Sequence, residues 1–103
     1  MIVYEVNLEV DNAIFAAYRV WLDEHVRAML ALPGFIGAEV FELRDAAPAA
    51  LRRSLCIQYR LADAADLDRY LRIDAPRMRA DAETHFPGRF SANRRILHSL
   101  APD

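Results

Sequence analysis

The stretch IVYEVNLEV, residues 2–10, decides the fold. Ile2, Tyr4, Val6, Leu8 and Val10 fall on one side, and Glu5, Asn7 and Glu9 on the other. Alternation with period two marks a half-buried β-strand. Asp11 and Asn12 follow as candidate helix caps, so a helix is expected from about residue 13. It should run to about Leu32 and stop at Pro33-Gly34. At 100° per residue, Ile14, Tyr18, Trp21, Leu22, Met29 and Leu32 form one apolar stripe. His25, inside WLDEHVRAML (residues 21–30), projects near the middle of that stripe, while Arg19, Asp23, Glu24 and Arg27 lie mostly away from it.

Beyond this helix the pattern continues. FIGAEVFELR (35–44) and RRSLCIQYRL (52–61) read as strands, joined across the Ala-rich loop DAAPAA (45–50) as a hairpin. In the second of these, Leu55, Ile57, Tyr59 and Leu61 share the apolar face. Asp63 opens another helix with Leu67, Tyr70 and Leu71 as its stripe. Pro76 then forces a kink or a restart, with Asp74 as the new cap, and the helix should end near Phe86 before Pro87-Gly88. A last strand over about 90–100 carries Phe90, Ala92, Ile96 and Leu100 on one face, with Arg94 and His98 among them. The order β-α-β-β-α-β, with short right-handed connections, predicts an α+β fold. It is a ferredoxin-like sandwich with a four-stranded antiparallel sheet and both helices on one face.

Composition sets the outer bounds. The 103 residues are expected to form one domain with a modest core. The 13 basic residues are all Arg, against 15 acids, and no basic stripe with interleaved aromatics suggests nucleic-acid binding. The N-terminal stretch lacks the pattern of a secretory signal, no apolar run reaches membrane-spanning length, and a cytoplasmic protein is expected. Cys56 is the sole cysteine and is read as a buried small hydrophobe. No phosphate-binding glycine loop, HExxH, GxSxG or close pair of histidines is present, so neither a metal nor a cofactor is expected.

The sheet face away from the helices should hold Glu5, Asn7, Glu9, Arg52, Ser54, Gln58, Arg60, Ser91, Asn93 and Arg95. Glu5 or Glu9 could pair with Arg52 or Arg60. Strand 35–44 is apolar on both sides: Ile36, Ala38 and Val40 on one, Phe35, Phe41 and Leu43 on the other. A partner is therefore expected, as a homodimer formed by sheet-to-sheet packing.

Three runs, W-x-x-E-H in the first helix, Y-L-x-x-x-A-P-x-M-R within YLRIDAPRMRADAETHF (70–86), and R-R-I-L in the closing GRFSANRRIL (88–97), occur in order along nearly the whole chain. In this arrangement the sequence resembles an uncharacterised bacterial family of the dimeric α+β barrel superfamily. That superfamily includes antibiotic-biosynthesis monooxygenases, EthD-like proteins, muconolactone isomerase-like proteins and haem-degrading enzymes. The resemblance implies a barrel of two facing sheets and a pocket between the sheet and the helices of each subunit. It carries no specific activity.

The candidate site follows from the inward faces. His25 is the candidate acid or base and Arg94 the candidate anion stabiliser. Tyr4, Trp21, Tyr59 and His98 are candidate ligand-binding residues. The competing reading is structural: His25 and Tyr59 satisfy backbone carbonyls or each other, and Arg94 reaches outward. Two functions stay open. One is a small-molecule-binding protein for a planar or aromatic metabolite, with cofactor-independent monooxygenase or isomerase chemistry. The other is a non-catalytic dimeric binding or assembly protein. A haem-binding reading, with Asn7 and His85 matching the order of haem-degrading relatives, is weaker, because Asn7 is expected on the wrong face.

Overall fold

In the computed structural model, which describes residues 1–44 and 51–100, the alternating segments pair into a four-stranded antiparallel sheet. The elements are β1 (Ile2–Asp11), α1 (Phe15–Leu30, entered through a 3-10 turn at Asn12–Ile14), β2 (Phe35–Glu42), β3 (Arg52–Leu61), α2 (Ala64–Ile73), α3 (Ala75–His85) and β4 (Phe90–His98). The sheet order is β2-β3-β1-β4. Tyr4 stands opposite Tyr59 on β3 and Ile96 on β4. This is the expected ferredoxin-like sandwich, with the second helical region restarted at Ala75. The expected loop 45–50 lies outside the described residues.

The core forms where the period-two face of the sheet meets the helix stripes. Leu8, Val10, Leu55, Ile57 and Leu61 from the strands pack against Phe15, Tyr18, Leu22 and Met29 of α1 and Leu67 and Tyr70 of α2. Removing these apolar surfaces from water is the main drive for the arrangement. The helical segments therefore cover one sheet face and leave the other open.

Several local expectations are corrected by tertiary contacts. Asp11 does not cap α1. Its carboxylate accepts from Arg52 at 2.8 Å and Arg89 at 2.7 Å, binding β1 to β3 and to the turn before β4. Asp74 makes no capping hydrogen bond, whereas Asp63 caps α2 by accepting from the Asp66 amide at 3.1 Å. On β2, a bulge between Phe35 and Gly37 shifts the register. An added residue in one strand reverses which face the following side chains take. Phe35 thus joins the helix side, against Tyr59 and Tyr70, while Phe41 stays on the open side opposite Cys56. Gly34 turns the chain into β2 with φ +86°, a backbone region that glycine adopts without strain.

The charge pairing on the open face also differs from expectation. Glu5 pairs with Arg95 of β4 at 2.6 Å, not with Arg52 or Arg60. Glu9 accepts from Ser54, and Arg60 lies 3.8 Å from Glu39. Edge strand β4 runs past the helical cover, leaving Ile96 57% exposed.

Candidate functional site

Between the sheet and the helices lies a cavity of about 240 Å³. All four tyrosines of the chain line it, whereas Phe90 alone of the five phenylalanines does. That difference is chemical: the cavity selects the aromatic side chain with a polar tip. β1 supplies Tyr4, β3 Tyr59, α1 Tyr18 and α2 Tyr70.

The hydroxyls are not used to hold the protein together. Tyr18, Tyr59 and Tyr70 are each at most 3% exposed, yet none of their hydroxyls has a hydrogen-bond partner among the described residues. Burial raises all three phenol pKa values above the ordinary tyrosine range, with neighbouring charges as smaller contributions, so these groups stay protonated and able to donate. Tyr4 is the exception. Its hydroxyl accepts from Nη2 of Arg79 at 3.1 Å, a contact that joins α3 to β1.

His25 sits on the inward side of α1 and stacks on Trp21, with ring centroids 4.6 Å apart. The ring of His85 lies 5.9 Å from the indole and hydrogen-bonds through Nδ1 to the Asp81 carbonyl. Nδ1 of His25 is buried and has no hydrogen-bond partner among the described residues, so the reading in which this nitrogen serves a backbone carbonyl does not hold there. Burial lowers the His25 pKa from 6.5, opposed in part by the charge of Asp81. The imidazole is thus held neutral, as a base must be. Trp21, His25 and Met78 also line a surface groove between α1 and α3, making them the partition between groove and cavity.

Arg94 lines the cavity from β4 and is exposed, without a carboxylate in ion-pair range among the described residues. The structure therefore brings together Tyr4, Trp21, His25, Tyr59 and Arg94 from the expected set. His98 is left out: it is exposed near the end of β4, opposite Ile2, and does not line the cavity. Sequence reading missed Tyr18, Tyr70, Arg79 and Glu83 as cavity residues. Tyr18 and Tyr70 were absorbed into apolar stripes. The available signal was their hydroxyl, which a purely structural stripe position does not need.

The family model described as domain of unknown function (DUF4286) matches residues 1–100. The chain belongs to the DUF4286 family. No curated protein matches it. Among solved structures, this DUF4286 chain is similar to a candidate antibiotic biosynthesis monooxygenase from Deinococcus radiodurans, at TM-score 0.75 and 13% identity, over 100% of this chain and 96% of that one. It is similar to SnoaB, a cofactor-independent oxygenase from Streptomyces nogalater, at TM-score 0.69 and 16% identity, over 98% and 95% of the two chains. MhuD with two manganese protoporphyrin IX molecules bound per active site gives TM-score 0.68 and 12% identity, over 100% and 98%. At these identities the likeness establishes the fold.

The DUF4286 residues do not fit a haem. Asn7 pairs across the sheet with Cys56 and Asn93, on the open face away from the cavity. His85 does not line the cavity, and a space of about 240 Å³ is too small for a tetrapyrrole. Among the described residues, no group of three His, Cys, Asp or Glu could hold a metal ion. No helix there is long and apolar enough to cross a membrane.

Proposed function

We propose that this protein binds a small planar aromatic metabolite between sheet and helices and moves a proton on it. The observation that carries the reading is a set of three buried tyrosines whose hydroxyls line one cavity and make no hydrogen bond among the described residues. A hydroxyl that lines a cavity without a protein partner needs another one. A ligand or water must take these hydrogen bonds. A dry cavity of about 150 Å³ holds benzene, so the larger space of about 240 Å³ suits two fused rings. Trp21 and His25 offer flat faces for them.

In the chemical step, a C–H proton beside a ligand carbonyl moves to His25. The C–H electron pair becomes an enolate, and Arg94 or a tyrosine hydroxyl meets its oxygen charge. Return of the proton at another carbon gives isomerisation. Reaction of the carbanion with dioxygen opens cofactor-independent oxygenation, the class named for SnoaB.

The bicyclic ketone 2-tetralone tests this reading. The wild type should bind it and speed deuterium exchange at its acidic carbon above the buffer rate, and His25→Gln should lose the acceleration. Binding without acceleration favours the non-catalytic binding protein; no binding overturns the cavity reading.

The same reading includes a cytoplasmic homodimer. Phe41 and Leu43 are 42% and 50% exposed on the sheet side away from the helices, which supports a partner sheet there. The single thiol of Cys56, without a disulfide partner, suits a reducing compartment.

A further inference from the structure

The polar groups of the cavity are unequal in kind. Arg79 and Arg94 line it, and neither has a carboxylate in ion-pair range among the described residues. The other charged group in the lining is Glu83, exposed one turn after Arg79 on α3 and not within ion-pair distance of it. His25 is held toward its neutral form. Two cations therefore face one anion, although the whole chain carries a net charge of −2.

Hydrogen-bond donors concentrate at one place. The ring of Tyr4 lies 5.5 Å from that of Tyr70 and 6.2 Å from that of Tyr59, centre to centre. Because the Tyr4 oxygen accepts from Arg79, its own hydrogen is free to donate. Tyr59 and Tyr70 also have unused hydroxyl hydrogens. Arg79 keeps four further N–H groups, by the inventory of about five on a guanidinium. Tyr70 and Arg79, the first and last residues of the helix-two run Y-L-x-x-x-A-P-x-M-R, thus meet at one cluster with Tyr4 and Tyr59.

We infer that Arg79 with Tyr4, Tyr59 and Tyr70 is a carboxylate-binding subsite, and that the ligand is a bicyclic aromatic carboxylate. This rests on the cavity reading above and adds the sign and place of the ligand charge. A carboxylate is planar and takes paired N–H donors from a guanidinium. Its remaining lone pairs suit neutral phenols that donate without adding charge. The ring is then left to Trp21 and His25.

The test compares two nearly isosteric probes, 2-naphthoate and its neutral amide 2-naphthamide, by calorimetry on the intact protein at about pH 7.5, where the carboxylate is ionised. Wild type is expected to bind the carboxylate at least about tenfold more tightly than the amide. Arg79→Gln should erase that preference by weakening the carboxylate more than the amide, and Arg79→Lys should restore part of it. Arg79 is exposed, so the variants should keep the wild-type circular dichroism spectrum. Equal binding of the two probes to wild type overturns the carboxylate subsite and leaves the cavity reading standing. A preference that survives in Arg79→Gln overturns the assignment to Arg79. Failure of both probes to bind overturns the cavity reading, and the subsite with it.

Discussion

The imidazole of His25 lies against the indole of Trp21, one helical turn before it, with the two planes 22° from parallel. Trp21 is the sole tryptophan of the chain, so its fluorescence reports on this histidine. Burial places the His25 pKa below 6.5. Fluorescence of the ligand-free protein should therefore titrate below pH 6.5, and His25→Gln should remove the transition. His85→Gln, which alters the more distant neighbour, should leave it in place. A transition at or above 6.5 would contradict the burial of the ring.

The same shift links to stability. Below pH 6.5 the unfolded chain takes up a proton at His25 that the folded protein resists. The folded state then holds fewer protons, and stability falls as pH falls through this window. In chemical denaturation followed from pH 7.5 to 5.5, His25→Gln should show a shallower decline than wild type.

Tyr59 and Tyr4 should respond differently to loss of a hydroxyl. The Tyr59 hydroxyl has no hydrogen-bond partner among the described residues, so Tyr59→Phe should leave stability within about 0.5 kcal/mol of wild type. Tyr4→Phe removes the acceptor for Arg79 and should cost about 1 kcal/mol. Urea denaturation separates the two. A loss in Tyr59→Phe as large as that in Tyr4→Phe would mean that its hydroxyl serves the fold.

Glu5 is 3% exposed on the open sheet face. It accepts from Arg95 at 2.6 Å, from the Cys56 thiol at 3.1 Å and from Gln58 at 3.5 Å. The Arg95 bond is the main cause of a Glu5 pKa lowered from 4.5 to about 2, with Cys56 next and burial opposing. Burial and the Glu5 carboxylate push the thiol up to about 11. The folded-state pKa of Glu5 lies below the unfolded one, so its contribution is present above 4.5 and lost as pH falls toward about 2. Glu5→Gln should lower stability at pH 7 by about 1 to 3 kcal/mol, and flatten the acid limb of the pH profile. An unchanged acid limb would show that Glu5 titrates normally.

Phe41 is the open-face residue whose replacement best tests assembly. Light scattering of wild type at micromolar concentration should give twice the chain mass, and Phe41→Asp should give a monomer with the same fold. A monomeric wild type removes the homodimer.

Local patterning already carried the topology. Side chains alternate along a strand and recur every three to four residues on a helix, so a buried face can be read from neighbours in sequence. Ile2 to Val10, Leu55 to Leu61 and the Tyr18–Leu22–Met29 stripe all turn inward as that logic requires. Pro33-Gly34 and Pro76 mark breaks because their backbone limits act within a residue or two. His25 was legible as an inward polar residue for the same reason.

Periodicity gives a direction but not a depth or a partner. The bulge at Phe35–Gly37 depends on how β2 pairs with β3, so the side chosen by Phe35 was hidden. The cover over β4 depends on where α1 and α3 end, which is why Arg94 reaches the cavity and His98 does not. Arg79 and Tyr4 meet across 75 residues of sequence. Whether the interior is hollow is a difference between the volume enclosed by separate elements and the volume of the side chains that fill it. The sequence by itself determined which faces turn inward. The tertiary structure alone decided that four tyrosines and two arginines surround a space they do not fill.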